Sequence, residues 1–283
     1  MKILVTGSNG QLGRALAHAL SGHEQVLRDL PELDIAEPEA VGTLLDAERP
    51  DWLVNAAAYT DVDGAETDLA GAERANVTGP RVLSEATAAR GIPILHVSTD
   101  YVFDGETDRP YVETDAPAPR TAYGRTKLAG EEAVRETNPK HFVVRTAWLY
   151  STSGRNFALT MLAAAARGSV RVVDDQTGSP TYAPHLAAGI ARLLERRDWG
   201  TFHLANRGQT SWYGLTRALY RACGVSCELV PCTSEEFRRP APRPRYSALA
   251  TIREPAVVLP TWEEGVTAFA ADRCAPKDAD STR

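Results

Sequence analysis

Lys2-Ile-Leu-Val-Thr-Gly7 runs straight into Ser8-Asn-Gly-Gln-Leu-Gly13, and the reading of this stretch decides the fold. The apolar residues 3–5 make a short strand buried on both faces, which Gly7 breaks. From Gln11 to Leu20 the apolar positions are 12, 15, 16, 19 and 20, a helical period. Strand and helix are therefore joined through glycines at 7, 10 and 13. Gly7 lets the chain turn, Gly10 lets backbone approach a pyrophosphate, and Gly13 permits close helix–strand packing. The phosphate charge then sits at the helix N-terminus, where free N–H groups point.

Outward from this stretch the same alternation continues. Gln25–Arg28, Trp52–Asn55, Ile92–Val97 and His141–Thr146 read as strands, and Glu37–Ala47, 66–90 and 121–137 as helices. That rhythm predicts a doubly wound α/β domain with a parallel sheet over residues 1–150. Beyond 150 it becomes irregular. Val170–Val173 and Thr201–Leu204 are expected strands around a helix Pro184–Arg196, and Ser211–Cys223 a further helix. Residues 151–283 thus form a smaller lobe that returns chain to the first domain around 170–205. Prolines at 240, 242 and 244 exclude regular structure from 238–245, and the polar tail 277–283 is expected to fray. Asp29, ending the second strand, can hydrogen-bond an adenosine ribose, whereas Arg28 could face a 2′-phosphate; either is equally readable as a solvated charge. The cofactor is NADH or NADPH, leaning to NADH on Asp29. Asp34-Ile35 is placed to meet the adenine, with a helix N-cap as the alternative for Asp34.

Composition narrows the function classes. Of 283 residues, 43% are apolar and 24% charged, enough to bury a core. A net charge of −6 argues against non-specific nucleic-acid binding. The longest apolar-rich run, Phe157–Ala166, is half the ~20 residues a bilayer requires. The apolar burst before Gly7 is too short for a secretory signal. Four cysteines make no disulfide framework, and Cys223, Cys227 and Cys232, without a histidine nearby, read as free thiols rather than a zinc site. No metal is expected, and the protein is expected in the cytoplasm as a monomer or homodimer.

Two further segments carry chemistry. In Tyr123-Gly-Arg-Thr-Lys127 the phenol and the ammonium lie four apart, one above the other on a helix. A phenol is a poor acid at neutral pH unless a neighbouring cation stabilises its anion. The fourth strand ends in His96-Val-Ser-Thr99-Asp-Tyr-Val-Phe-Asp-Gly105, which puts a hydroxyl where open α/β sheets bind ligands. Phosphate loop, strand-end hydroxyl and Tyr/Lys helix follow in that order.

With these blocks the chain resembles the extended short-chain dehydrogenase/reductase superfamily and, within it, the dTDP-4-dehydrorhamnose reductases. The resemblance runs from Met1 to about Ser247. It also includes Val54-Asn-Ala-Ala-Ala-Tyr-Thr-Asp-Val-Asp63, Arg145-Thr-Ala-Trp-Leu-Tyr150, Val173-Asp-Asp-Gln-Thr-Gly-Ser-Pro-Thr181 and Arg243-Pro-Arg-Tyr-Ser247. It implies a Rossmann-like fold in which Gly10, Gln11 and Leu12 line the pyrophosphate, Asp34 and Ile35 the adenine, and Ala57, Ala58 and Tyr59 the ribose–nicotinamide side. Thr99, Tyr123 and Lys127 would be the catalytic triad. Val62, Asp63, Asp100 and Trp148 would meet a nucleotide-diphosphate sugar, although Trp148 also reads as a packing aromatic. Arg243, within four arginines in eight residues, is the expected diphosphate contact, against a plain solvated loop.

The resemblance implies reduction of a 4-keto sugar: hydride to C4, a proton from Tyr123 to the forming alkoxide, a hydrogen bond from Thr99, and Lys127 lowering the phenol pKa and holding a ribose, so that Tyr123 and Lys127 also count among the cofactor-binding residues. Dehydratases of the superfamily carry Asp-Glu after the threonine, whereas Asp100 is followed by Tyr101; epimerases usually show a Ser/Ala run there. A non-catalytic binding subunit of the same fold, like the regulatory subunit of methionine adenosyltransferase, would not need the intact Thr/Tyr/Lys set.

Overall fold

A computed structural model describes residues 1–274. Six strands, β1 (Lys2–Thr6), β2 (Glu24–Arg28), β3 (Trp52–Asn55), β4 (Ile94–Thr99), β5 (His141–Thr146) and β10 (Gly200–His203), form one sheet in the order β10-β5-β4-β3-β1-β2. Every pairing in it is parallel. The sheet is buried on both faces, so its strands carry unbroken apolar runs instead of alternating ones. Ile3, Val5, Trp52, Val54, Leu95, Phe142 and Val144 enter one core, while Leu4, Leu53, Ile94 and Val143 enter the other. The first core is covered by α1 (Gln11–Ala19) and α7 (Ala183–Leu193), packed side by side. The second is covered by α2 (Pro38–Glu48), α4 (Gly79–Ala89) and α5 (Ala122–Thr137). Chain from beyond residue 150 thus supplies a helix and an edge strand to the sheet.

The rest of the second half packs as small pieces. β7 (Ser169–Val173) pairs with β12 (Glu228–Cys232), β8 (Thr177–Gly178) with β11 (Thr210–Ser211), and β6 (Leu149–Tyr150) with β9 (Thr181–Tyr182). Helices α6 (Phe157–Ala164), α8 (Trp212–Ala222) and α9 (Trp262–Cys274) surround a core of Tyr150, Tyr182, Leu215, Leu219 and Phe269. Helix α9 has no counterpart in the sequence reading, and the expected fraying of 277–283 concerns residues outside the described ones.

Two expectations are corrected. The continuous helix over 66–90 is interrupted: α3 (Leu69–Glu73) passes into a π turn, Arg74–Thr78, before α4. Pro80 has no N–H to give the carbonyl of Asn76, four residues back, so regular α bonding fails there. That carbonyl lies instead against α5, where a Cβ on Gly130 would sit 2.1 Å from it. The second correction is Cys223. It is not a free thiol but is disulfide-bonded to Cys274, with Cα atoms 5.4 Å apart, while Cys227 and Cys232 are free. The partner lies 51 residues away on α9, outside the cysteine cluster, and becomes a neighbour only because α8 and α9 pack together. A low cysteine count therefore does not exclude a single disulfide. Among the described residues no helix is long and apolar enough to cross a membrane.

Candidate active site

The cleft lies along the carboxyl ends of β1, β3, β4 and β5. Strand order reverses beside β1, because β2 pairs on one side of it and β3 on the other. In open α/β sheets that reversal is where ligands bind. Gly7 has φ +73°, and a Cβ there would fall 2.4 Å from the Ala57 nitrogen, so the loop can rest against the end of β3 only as glycine. A Cβ on Gly13 would meet the Gly7 carbonyl at 2.2 Å; one on Gly10 would meet only that oxygen, at 3.2 Å, with open space beyond. Gly10 is the N-cap of α1, with no side-chain cap and no acidic residue in the first turn. The first-turn N–H groups, including those of Gln11, Leu12 and Gly13, therefore face the cleft uncapped, and this is a cradle that fits a pyrophosphate.

Around it, Asp29 accepts the N–H of Asn9 and of Leu30, each at 2.8 Å. Arg28 turns away, onto its neighbour's carbonyl and Glu48 at 3.4 Å. Asp34 caps no helix. It accepts the Ala36 N–H at 2.9 Å and pairs with Arg74, and these bonds hold its carboxyl below the usual range. Ile35 is buried with its side chain in the core, against Gly79. Ala57, Ala58 and Tyr59 are half-buried beyond β3, with Tyr59 clamped by Asn76, whose Oδ1 accepts its N–H at 2.9 Å and whose Nδ2 donates to its carbonyl at 3.1 Å. Gln11 reaches across to the second half, accepting from Ser151 at 3.1 Å.

Thr99, Asp100, Tyr123 and Lys127 are all buried where β4 ends and α5 begins. The Thr99 hydroxyl donates to Asp100 Oδ1 at 3.0 Å and accepts the Tyr101 N–H at 3.2 Å. Burial pushes the Asp100 carboxyl up to about 6, opposed by the neighbouring Ser247 and Thr99 hydroxyls; Asp100 Oδ2 and the Ser247 hydroxyl are close enough to interact but do not meet in good hydrogen-bond geometry. Burial raises the Tyr123 phenol to about 12, opposed by the Thr99 hydroxyl. The Lys127 ammonium donates to the Val97 carbonyl at 2.7 Å, and burial lowers it to about 8, against the pull of Glu131. Tyr101 stands edge-on to Tyr123, with ring centroids 5.5 Å apart.

Trp148 holds a left-handed backbone, φ +46°, a costly conformation for a bulky residue and one that clusters at functional sites. Its indole stacks on Trp212 at 3.5 Å and is backed by Gly178, where a Cβ would strike it at 2.3 Å. Gln176 accepts the Trp212 N–H at 3.0 Å. The Asp-Asp-Gln-Thr-Gly block thus builds the wall behind a two-ring platform. Val62 packs beside Tyr123. Asp63 and Arg243 are brought together: Arg243 donates to Asp63 Oδ2 at 2.8 Å, and the Ala241 N–H donates to Oδ1 at 3.1 Å. Against the effect of burial, these partners keep the Asp63 carboxyl below its ordinary value. Arg238, Arg239 and Arg245 are exposed; of the four arginines only Arg243 turns inward.

Asn76 and Trp212 are not singled out by the sequence, and Gln176 lies in the Val173–Thr181 block with no role assigned to it there. Their signal is weak: an asparagine within a helical pattern, and two residues far apart in the irregular half. Among the described residues no group of three or more His, Cys, Asp or Glu could hold a metal.

The chain matches the family model described as RmlD substrate binding domain over residues 1–274. It is 41% identical over 290 aligned positions to the dTDP-4-dehydrorhamnose reductase of Mycobacterium tuberculosis, covering 99% of this chain and 95% of that one. It is 44% identical over 255 positions, 88% of this chain and 86% of the other, to a Streptomyces antibioticus protein named as a probable dTDP-4,6-dihydroxy-2-methyloxan-3-one 4-ketoreductase. The crystal structure of the Bacillus anthracis dTDP-4-dehydrorhamnose reductase in complex with NADP superposes with a TM-score of 0.93 at 35% identity, covering 96% of this chain and 99% of that one. By its matched length, its identity and its fold, the chain belongs to the dTDP-4-dehydrorhamnose reductase family.

Proposed function

We propose that this protein reduces the C4 keto group of a dTDP-4-keto-6-deoxysugar, with dTDP-4-dehydrorhamnose as the first substrate to test. The observation that carries this reading is the joint burial of Thr99, Tyr123 and Lys127 beside an uncapped, glycine-lined helix N-terminus. A reduced nicotinamide cofactor, when bound, supplies the hydride. Gly10, Gln11 and Leu12 hold its pyrophosphate and Asp29 a ribose. Arg28, engaged with Glu48, is turned from a 2′-phosphate, which favours NADH over NADPH.

Thr99 donates to the C4 oxygen as negative charge develops there, and Tyr123 transfers its phenolic proton to that oxygen. Burial keeps Tyr123 protonated until an alkoxide forms, and Lys127 stabilises the phenolate that results. The neighbouring Asp100 carboxyl and Ser247 hydroxyl, buried at the sugar end without good hydrogen-bond geometry between them, are the polar groups that a sugar hydroxyl would bridge. The Trp148–Trp212 platform offers an apolar face, and Arg243, held by the Ala241 carbonyl at 3.0 Å and Asp63 at 2.8 Å, is the inward guanidinium that would exchange one of these partners for the diphosphate. A dehydratase needs a base after Asp100, and the Tyr101 phenol, raised well above its usual value by burial, cannot act as one. A cytoplasmic location and a monomer or homodimer complete the proposal. The test is oxidation of NADH and of NADPH against a panel of dTDP-4-keto-6-deoxysugars, with product configuration read by NMR. Saturable oxidation with at least one of them is expected; none with any refutes the reading.

A further inference from the structure

His96 lies in the middle of β4, fully buried, and the mechanism above makes no use of it. Its Nε2 is 3.3 Å from the Lys127 amino nitrogen, and its Nδ1 is 3.0 Å from Asn55 Nδ2. The roles in this chain of contacts follow from one obligatory donor. The Ala57 backbone N–H can only donate, and it points at Asn55 Oδ1 from 3.1 Å. That fixes the amide, whose oxygen also accepts the Thr6 hydroxyl at 2.8 Å. The other end of the amide, Nδ2, must then donate to His96 Nδ1. An Nδ1 that accepts carries no proton, so the neutral ring carries its proton on Nε2, facing Lys127.

We propose that Thr6, Asn55 and His96 form a buried tautomer lock that presents an N–H, not a lone pair, to Lys127, making His96 a positioning residue that sets the protonation state of this lysine. An N–H facing an ammonium is two donors in opposition. The same N–H facing a neutral amine is a hydrogen bond. The lock therefore weakens the ammonium without removing it: burial acts in the same direction and brings Lys127 to about 8, so the cation that stabilises the phenolate still predominates at neutral pH, while His96 itself is held well below its usual range. Because Thr6 and Asn55 are paired at the ends of β1 and β3, where the glycine loop leaves β1 and rests against the end of β3, the lock also ties the lysine to the cofactor end of the cleft.

Few other groups compete for control. On α5 itself these are Tyr123, Glu131 and Arg135, and Glu131 is saturated by Arg145 of β5, at 2.9 and 2.7 Å, and by Arg135. The turn after β4 adds Asp100 and Tyr101. Glu66, Glu73, Arg74, Arg81 and Glu85, on the elements packed against α5, are exposed, and Arg74 is engaged with Asp34. His96 is thus the titratable side chain that touches the Lys127 nitrogen from the strand side, next to the Val97 carbonyl.

The inference rests on the proposed function only for its use in catalysis, and its test needs neither substrate nor cofactor. The chain has four lysines, Lys2, Lys127, Lys140 and Lys277, so ¹³Cε labelling gives a spectrum simple enough to titrate Lys127 directly. Long-range ¹H–¹⁵N spectra of labelled histidine report the His96 tautomer, assigned by its loss in His96→Phe. Expected in the native protein are a protonated Nε2, a bare Nδ1 and no titration of the ring from pH 6 to 9. In Asn55→Asp an acceptor replaces the donor, so the proton should move to Nδ1 and the Lys127 midpoint should rise by about one pH unit or more, tenfold in its ionisation constant. The double variant Asn55→Asp/His96→Phe keeps the new carboxylate without the relay and should rise clearly less. Should His96→Phe not fold, the ring is assigned through its own backbone resonances instead. A protonated Nδ1 or an imidazolium at His96 in the native protein overturns the lock. So does a flipped tautomer with an unmoved lysine, or an equal rise in the double variant.

Discussion

The cofactor end and the sugar end of the cleft are built by opposite means. At the cofactor end, contacts are made by backbone and by missing side chains. Gly7 and Gly13 leave no room for a Cβ, and α1 begins without a cap. At the sugar end, contacts are made by side chains drawn from distant loops: Trp148 on Trp212, Arg243 on Asp63. The first kind tolerates almost no substitution and is the same for any dinucleotide. The second kind can be exchanged residue by residue, and specificity for a sugar nucleotide can change without disturbing the sheet.

Where the two ends meet, at Tyr123, the largest effect is expected. Tyr123→Phe removes the proton donor while keeping the ring, so kcat should fall ~10²–10⁴-fold with sugar-nucleotide binding retained, as measured by steady-state kinetics and calorimetry. A value within threefold of the native enzyme would mean that another group delivers the proton.

At the cofactor end, Gly10→Val places its side chain in the open cradle, whereas Gly13→Val drives one into the Gly7 carbonyl. The first should weaken cofactor binding roughly 100-fold, about two charge-assisted hydrogen bonds, with thermal stability nearly unchanged. The second should lower the melting temperature as well. Equal stability losses in both would erase the distinction between a cradle glycine and a packing glycine, and fluorescence titration with thermal scans separates the cases.

The smallest effect belongs to the sugar end. Arg243→Ala should raise KM for the sugar nucleotide about tenfold with little change in kcat, because a diphosphate is bound alike in ground and transition states. The KM for NADH should stay put. Since Asp63 shares the guanidinium, Asp63→Asn should move the sugar KM less than Arg243→Ala does. If it moves as much, the ion pair, rather than the arginine's own reach, shapes the pocket.

This contrast also explains how much the sequence discloses. Local signals carry the first half: glycine spacing, apolar runs and the Tyr/Lys register follow from neighbours within a few residues, and the strand His141–Thr146 is found where the sequence places it. The interrupted helix at Arg74–Thr78 is legible only in hindsight, because Pro80 marks it but the Gly130 contact that accommodates it comes from another helix. Helix α9 has a local start signal, the capping box Thr261-Trp-Glu-Glu264, in which the Thr261 hydroxyl accepts the Glu264 N–H at 3.2 Å and Glu264 accepts the Thr261 N–H at 2.6 Å. The Cys223–Cys274 bond and the Trp212 platform depend on long-range packing, and no local pattern announces them. The same limit applied to His96. In the strand sequence it is one polar residue among apolar ones; its meaning appears only when Asn55 and Lys127 arrive from β3 and α5.

The most direct test of the central claim is isotope transfer. The protein is incubated with dTDP-4-dehydrorhamnose and a reduced nicotinamide cofactor deuterated at C4 of its ring, and the sugar product is analysed by NMR and mass spectrometry. One deuterium, bonded to C4 of the sugar in a single configuration, is the predicted result. Product without deuterium, or with deuterium at C5 or C6, would contradict a direct 4-ketoreduction in the Thr99–Tyr123–Lys127 cleft.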